Sequence, residues 1–171
     1  LKEHYSLLYL AFSGRLIAVL CIEDPIREDA KDVIKELRKL GINEIAMLTG
    51  DAENAARAVA EKLGIDHYQS QVLPEDKQAY IKKKKAEGRT VIMIGDGIND
   101  SVALSAADVG IAMHQGADIA KEISDISIGT DSLYGLIDAI KLAKAMDQRI
   151  KDDYKKIVGI NSSLIALGVL G

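Results

Sequence analysis

Asp96, Asn99 and Asp100 place two carboxylates and an amide within five residues, with no cation between them. Hard oxygen ligands of this kind suit Mg²⁺. They follow Val91-Ile92-Met93-Ile94, four apolar residues in a row, which read as a strand buried on both faces. Gly95 and Gly97 bracket the first carboxylate, so the backbone can turn sharply there and approach a ligand closely. The carboxyl end of such a strand is where open α/β sheets bind their ligands. The plainer alternative is an acidic turn in which Asn99 or Asp100 caps the next helix.

Two further stretches carry related chemistry. Thr49-Gly50-Asp51 follows a short apolar run and precedes an Ala-rich helical pattern. A hydroxyl and free N–H groups at a helix N-terminus make an anion site. Asp51 is expected to cap the helix and shape the turn, while Thr49 and the Gly50 amide face a phosphoryl group. Pro74-Glu75-Asp76-Lys77 opens another helix. Lys77 lies in its first turn, where a cation opposes the helix dipole. Either it pairs with a phosphoryl oxygen or an aspartate, or it is simply an exposed lysine. Asp24-Pro25-Ile26-Arg27 also reads two ways, as a cap with a surface charge or as a polar hinge beside a phosphate site. His4, His67 and His114 lie far apart and give no zinc spacing.

Alternating strand and helix signals must position these groups. Ser13-Gly14 joins two apolar runs, Ser6–Phe12 and Arg15–Ile22, in a hairpin pattern. Pro25 can begin a helix that runs to Leu40, with Val33, Ile34 and Leu37 on its apolar face and Gly41 as its stop. A buried strand over 45–48 leads to a helix with Ala56, Val59 and Ala60 inward and Gly64 as its stop. Residues 66–71 read as a short strand. The helix begun at Pro74 carries Lys82 to Lys85, a solvated face. Residues 99–106 form a short helix, 108–113 a buried strand, 116–123 a helix and 125–128 a last strand. Asp131 or Ser132 caps a long helix. The basic residues Arg149, Lys151, Lys155 and Lys156 then precede an apolar run broken by Asn161, Ser162 and Ser163. A membrane span takes about 20 such residues, and this run meets the chain end first. It reads as a core or amphipathic helix or, preferably, as the cytoplasmic entry to a membrane span. The order of elements predicts an α/β fold with a Rossmann-like parallel sheet and flanking helices, an N-terminal β-hairpin and a C-terminal long helix.

Composition narrows the classes. Apolar residues make up 48% of the 171, with no Trp and one Phe, so aliphatic side chains fill the core. A net charge of −4 argues against general nucleic-acid binding. One cysteine builds no disulfide framework and suits a reducing compartment. A chain that opens on Leu, without a signal peptide, reads as an excised piece.

Taken together and in this order, Thr49-Gly50-Asp51, Pro74-Glu75-Asp76-Lys77 and Gly95-Asp96-Gly97-Ile98-Asn99-Asp100 resemble the motifs of the haloacid-dehalogenase superfamily. Within it the chain is most similar to the phosphorylation domain of P-type cation-transporting ATPases, and its compact spacing is similar to the heavy-metal class. The likeness runs from about Arg15 to the chain end. It implies that Asp96 ligates Mg²⁺, with Asp100 and Asn99 holding the metal site and the phosphorylated loop. It also implies that Thr49 and Gly50 contact the transferred phosphoryl group and that Lys77 neutralises it. Asp24-Pro25-Ile26-Arg27 resembles the family's hinge. By the same likeness, residues 1–23 end a nucleotide-binding domain, 24–148 form the phosphorylation domain, and 149–171 are a basic linker and the start of a membrane helix.

The resemblance further implies ATP as substrate and a transported cation. It places the chain in the cytoplasmic part of an integral membrane protein, in the plasma membrane, with the rest of that protein as partner. Ser101-Val102 departs from the family's usual Ala-Pro, which alters only a local turn. The nucleophile motif Asp-Lys-Thr-Gly-Thr is absent, and Asp24, followed by Pro25-Ile26-Arg27, does not match it. In the family fold that motif's strand lies between the strands that end in this chain at Leu48 and Ile94, so the sheet is expected to lack a central strand. A soluble Mg²⁺-dependent phosphatase and a non-catalytic phosphate-binding module are the alternatives. The first should carry an Asp-x-Asp strand near its N-terminus and no basic-then-apolar tail; the second fits the missing nucleophile.

Overall fold

Ser13 and Gly14 both adopt left-handed backbone, with φ of 49° and 77°, and fold β1 (Ser6–Phe12) back onto β2 (Arg15–Ile22). A two-residue turn of that hand matches the twist of the strands it joins. The pairing is antiparallel and shifts register once, at Leu10/Ala11. Adjacent strand residues point to opposite faces, and Leu8, Tyr9, Leu10, Leu16, Ile17 and Leu20 are all exposed. Both faces of the hairpin are therefore apolar and uncovered. The computed structural model describes residues 6–22, 25–95, 98–113, 118–130 and 132–170.

The first helix, α1 (Ala30–Lys39), starts five residues beyond Pro25, where the sequence pattern would begin it. Residues 25–27 are irregular and Ala30 N–H bonds to the Arg27 carbonyl. The Asp29 carboxylate accepts the Ser132 hydroxyl at 3.0 Å and the Leu133 N–H at 2.8 Å, which holds Asp29 as the residue before the helix. Val33 and Leu37 are buried as their spacing predicts, and Gly41 is left-handed at the stop.

Two parallel sheets follow. β3 (Ala46–Leu48) pairs with β4 (His67–Gln69), crossing through α2 (Glu53–Leu63). After α3 (Pro74–Ala86), β5 (Ile92–Gly95), β6 (Val109–Ala112) and β7 (Ile126–Ser127) pair in that order. A single 3₁₀ turn (Ile98–Asp100) and α4 (Ser101–Ala106) connect β5 to β6, and α5 (Asp118–Ile123) leads to β7. Among the described residues β3 pairs only with β4 and β5 only with β6, so each leaves one edge without a ladder partner. That is the break expected of a parallel sheet without its central strand. The expectation that both strands are buried does not hold. Met47 and Leu48 are half-buried, and Ile92 and Ile94 are each 37% exposed, because no neighbour covers that side.

One device sets the register three times. Asp66, Asp108 and Asp125 each stand immediately before a later strand. Each donates its N–H to a carbonyl at or next to the start of the neighbouring strand, on Ile45 (3.1 Å), Val91 (3.0 Å) and Gly110 (2.9 Å) respectively. Each carboxylate then accepts the N–H of that same residue at 2.7, 2.8 and 2.8 Å. An aspartate so placed closes the ladder where the strand's own backbone has run out.

Leu104, Ala112 and Met93 pack together between α4 and the second sheet. Gly110 is needed there, since a Cβ on it would stand 2.8 Å from the Leu104 carbonyl oxygen. Lys84 and Lys85 are not a solvated face. Lys84 bonds Glu44 at 2.7 Å and lies over the Tyr80 ring, and Lys85 bonds Asp108 at 2.9 Å. Both pin α3 to the sheets. The chain divides into two compact units at Leu133. The second holds α6 (Tyr134–Leu170), a continuous 37-residue helix that contains Arg149, Lys151, Lys155 and Lys156. Ser132 lies just before it, and Asp131 falls outside the described residues. No described helix is long and apolar enough to cross a membrane.

Candidate active site

The three sequence stretches are joined by a continuous run of contacts. At the carboxyl end of β3 the Thr49 hydroxyl donates to the Asp51 carboxylate at 2.6 Å and accepts the Asp51 N–H at 3.2 Å. Asp51 therefore shapes the turn, as expected, but it does not cap α2. Ala52 is the cap residue and no side chain bonds there, because the Asp51 carboxylate is turned back to Thr49. Gly50 lies between them with room in front: a Cβ on it would meet nothing nearer than the Val72 carbonyl at 4.0 Å. The protein's own packing does not demand glycine at this position. An open cradle beside a hydroxyl at the end of a parallel strand fits a phosphoryl group.

The loop after β4 crosses this turn. Thr49 N–H donates to the Gln69 carbonyl, Gln71 N–H to the Asp51 carbonyl and Val72 N–H to the Thr49 carbonyl, each at 3.0 Å. Leu73 then begins α3, with its N–H on the Asp76 carboxylate at 2.9 Å and its carbonyl accepting Lys77 N–H at 3.2 Å. Lys77 answers the question its position raises. Its Nζ donates to Asp100 Oδ1 at 2.7 Å, and the two side chains are only 14% and 13% exposed. A largely desolvated ion pair outweighs the helix-dipole penalty on a first-turn lysine.

Asp100 in turn rests on the end of β5. A Cβ on Gly95 would stand 2.7 Å from the Asp100 Cβ and 3.0 Å from its carboxyl carbon, so only glycine admits this carboxylate. Asn99 is exposed in the 3₁₀ turn. Asp96, Gly97 and Asp24 lie outside the described residues. Among the described residues no three acidic, His or Cys side chains converge as a metal site. Among the described residues the donor chemistry at this strand end is carboxylate and amide, which fits a hard divalent cation. Arg27 and Asp51 line one cavity of about 280 Å³ with Pro25, Ile26, Met47 and Val59. Residues 25–27 thus stand beside the Thr49–Asp51 turn.

Sequence reasoning missed Glu53. Its carboxylate accepts the Tyr68 hydroxyl at 2.7 Å and the Ser70 hydroxyl at 2.5 Å. The Ser70 bond, then the Tyr68 bond, hold it below the usual carboxylate range. No local pattern links residues 15 and 17 positions apart.

A family model described as haloacid dehalogenase-like hydrolase matches residues 2–108, and a second of the same description matches residues 77–140. The chain belongs to the haloacid dehalogenase-like hydrolase family. Among its relatives in this family, Copper-transporting ATPase 2 of Rhizobium meliloti (strain 1021) is 46% identical over 167 residues, 96% of this chain and 20% of that protein. The Zinc-exporting P-type ATPase of Mycobacterium marinum (strain ATCC BAA-535 / M) is 39% identical over 165 residues, 96% of this chain and 22% of that protein. The crystal structure of a zinc-transporting PIB-type ATPase in the E2.Pi state superposes with a TM-score of 0.75 at 34% identity, covering 88% of this chain and 24% of that one. The catalytic domain of the CPx-ATPase CopB-B superposes at 0.65, covering 78% of this chain and 52% of that one. This member of the family therefore spans about a fifth of the curated relatives it matches.

Proposed function

We propose that this chain is the phosphate-cradling part of a P-type ATPase that couples ATP hydrolysis to movement of a transition-metal cation through an aspartyl phosphate. The single observation that carries the reading is the contact path from Thr49 through the 69–73 loop to Lys77 and Asp100. It links an open turn at the carboxyl end of β3 to a largely buried ammonium that holds Asp100 beside the end of β5. Phosphoryl transfer asks for little more from the protein than positioning and cations around three charged oxygens.

Each residue has a definable task. Gly50 leaves space for the phosphoryl group. The Thr49 hydroxyl proton, held on Asp51, rotates to a phosphoryl oxygen. An ammonium has three donors, so Lys77 holds Asp100 with one and offers the others to the transferred group. Arg27 and Asp51 sit where a nucleotide's polyphosphate enters beside the hinge. Mg²⁺, when bound, neutralises charge on the phosphoryl oxygens, and Asp96 with Asp100 and Asn99 would hold it. The nucleophile comes from an upstream strand of the same protein, seated between the open edges of β3 and β5. The copper and zinc named for the relatives support a heavy-metal cargo. The basic-then-apolar end of α6 supports a link to a membrane, which we take to be the plasma membrane.

Phosphoenzyme formation tests this. The full-length protein in membranes is incubated with radiolabelled ATP and Mg²⁺, with copper, zinc or manganese salts, and quenched in acid. Acid-stable, cation-dependent labelling that is lost in Lys77→Ala is the expected result. Labelling of this chain by itself, or its hydrolysis of small phosphate esters, would point to an internal nucleophile such as Asp24 and to a soluble phosphatase instead.

A further inference from the structure

Gln71 is one of two described non-glycine residues in left-handed backbone, with φ of 54°. The other, Ser13, forms a hairpin turn; Gln71 lies in the loop that crosses the Thr49–Asp51 turn. We infer that this loop, residues 69–73, is a positioning element for phosphoryl transfer, with Gln71 and Glu53 as its positioning residues. The inference rests on the phosphoryl-transfer reading above and extends it to residues that touch neither substrate nor metal.

The geometry is specific. In extended backbone successive N–H groups point to opposite sides. In this loop Gln71 N–H and Val72 N–H both reach the same neighbouring turn, at the carbonyls of Asp51 and Thr49. The left-handed residue is what turns the two donors to one side, as in backbone nests. Its side chain is exposed, so the backbone at this position, rather than side-chain packing, makes the contact. Glu53 ties the far end of the turn to the same segment through Tyr68 and Ser70. The loop continues directly into Leu73, whose carbonyl receives the Lys77 N–H. One short segment thereby fixes the anion-facing turn on one side and the start of the helix bearing the neutralising cation on the other. A left-handed non-glycine residue is costly and persists where its surroundings over-determine it. Five hydrogen bonds between 68–72 and 49–53 do so in this protein.

The test uses the full-length protein with Gln71 replaced by Gly, Asn or Val. Gly and Asn accept left-handed backbone, whereas a β-branched residue resists it. In Gln71→Val, phosphoenzyme formation is expected to slow roughly tenfold, and inhibition by orthovanadate, a phosphate mimic, to weaken by a similar factor. The apparent KM for ATP should stay within about twofold, since the loss is in transfer rather than in uniform binding. Hydrogen exchange in 49–53 should quicken in the same variant. Gln71→Gly and Gln71→Asn should restore wild-type labelling and exchange. Glu53→Ala should quicken exchange at the same segment. Wild-type labelling in Gln71→Val overturns the inference. So does equal loss in the Gly and Asn variants, which would assign the effect to the side chain. A wild-type protein that never labels overturns the phosphoryl-transfer reading itself, and with it the positioning role of the loop.

Discussion

Gly95 makes room for the same carboxylate that Lys77 holds. An alanine at Gly95 drives its methyl group into Asp100, whose Cβ lies 2.7 Å from that point, and the carboxylate must leave Lys77 to make room. Overpacking of this kind costs about 1–3 kcal/mol. Gly95→Ala should therefore lower the urea midpoint and suppress phosphoenzyme formation together. Lys77→Met leaves a buried carboxylate without its cation, a loss of about 2 kcal/mol. Replacing both partners, as in Lys77→Met with Asp100→Leu, should be less destabilising than the two single changes summed, because neither charge is then left alone. A double-mutant cycle by urea denaturation measures that coupling. If the two changes simply add, the 2.7 Å contact contributes nothing to stability.

The strands are held in register by aspartates at their amino ends, and two of these set an acid limit on the fold. The Ile45 N–H and then Arg38 keep Asp66 below its ordinary range. The Val91 N–H and then Lys85 do the same for Asp108. A carboxylate whose folded pKa is depressed binds fewer protons folded than unfolded. Its stabilisation is thus complete above the unfolded carboxylate range, about pH 4, and is lost as pH falls through the lower folded value. The urea midpoint should be flat near neutrality and fall steeply below about pH 4. The Asp66→Asn, Asp108→Asn double variant should start lower and fall less over the same range. Equal slopes would show that these carboxylates do not link protonation to folding. The half-exposed Arg38–Asp66 pair itself adds little; the backbone bond is the larger part.

At the scale of the whole molecule, the described residues of the first unit leave several surfaces uncovered, and two kinds stand out. These are the two apolar faces of the β1–β2 hairpin, taken together, and the open edges of β3 and β5. Unpaired edges and contiguous apolar patches drive association. This chain in solution should self-associate with concentration, as read by sedimentation velocity. Phe12→Lys with Ile17→Lys, at residues 73% and 61% exposed, should reduce the association without lowering the thermal midpoint. Unchanged association would move the responsible surface to the strand edges or to the exposed apolar residues of α6.

What the sequence by itself determined is what a few neighbouring residues can encode. The turn at Ser13-Gly14, the stop at Gly64, the start of α3 at Pro74 and the order of strands and helices all depend on backbone freedom and hydrophobic period within one turn or strand. The three motif stretches were legible for the same reason, since each is continuous in the chain. Tertiary structure alone decided which groups meet. Lys77 finds Asp100 across 23 residues, and Asp29, the residue before α1, finds Leu133 across 104. Asp51 turns to Thr49 instead of capping α2, and Lys84 and Lys85 serve as struts instead of facing water. The half-exposure of Ile92 and Ile94 likewise reflects a neighbour on only one side of β5. An apolar run states that a strand wants cover, while the cover itself comes from other strands, whose placement no local pattern contains.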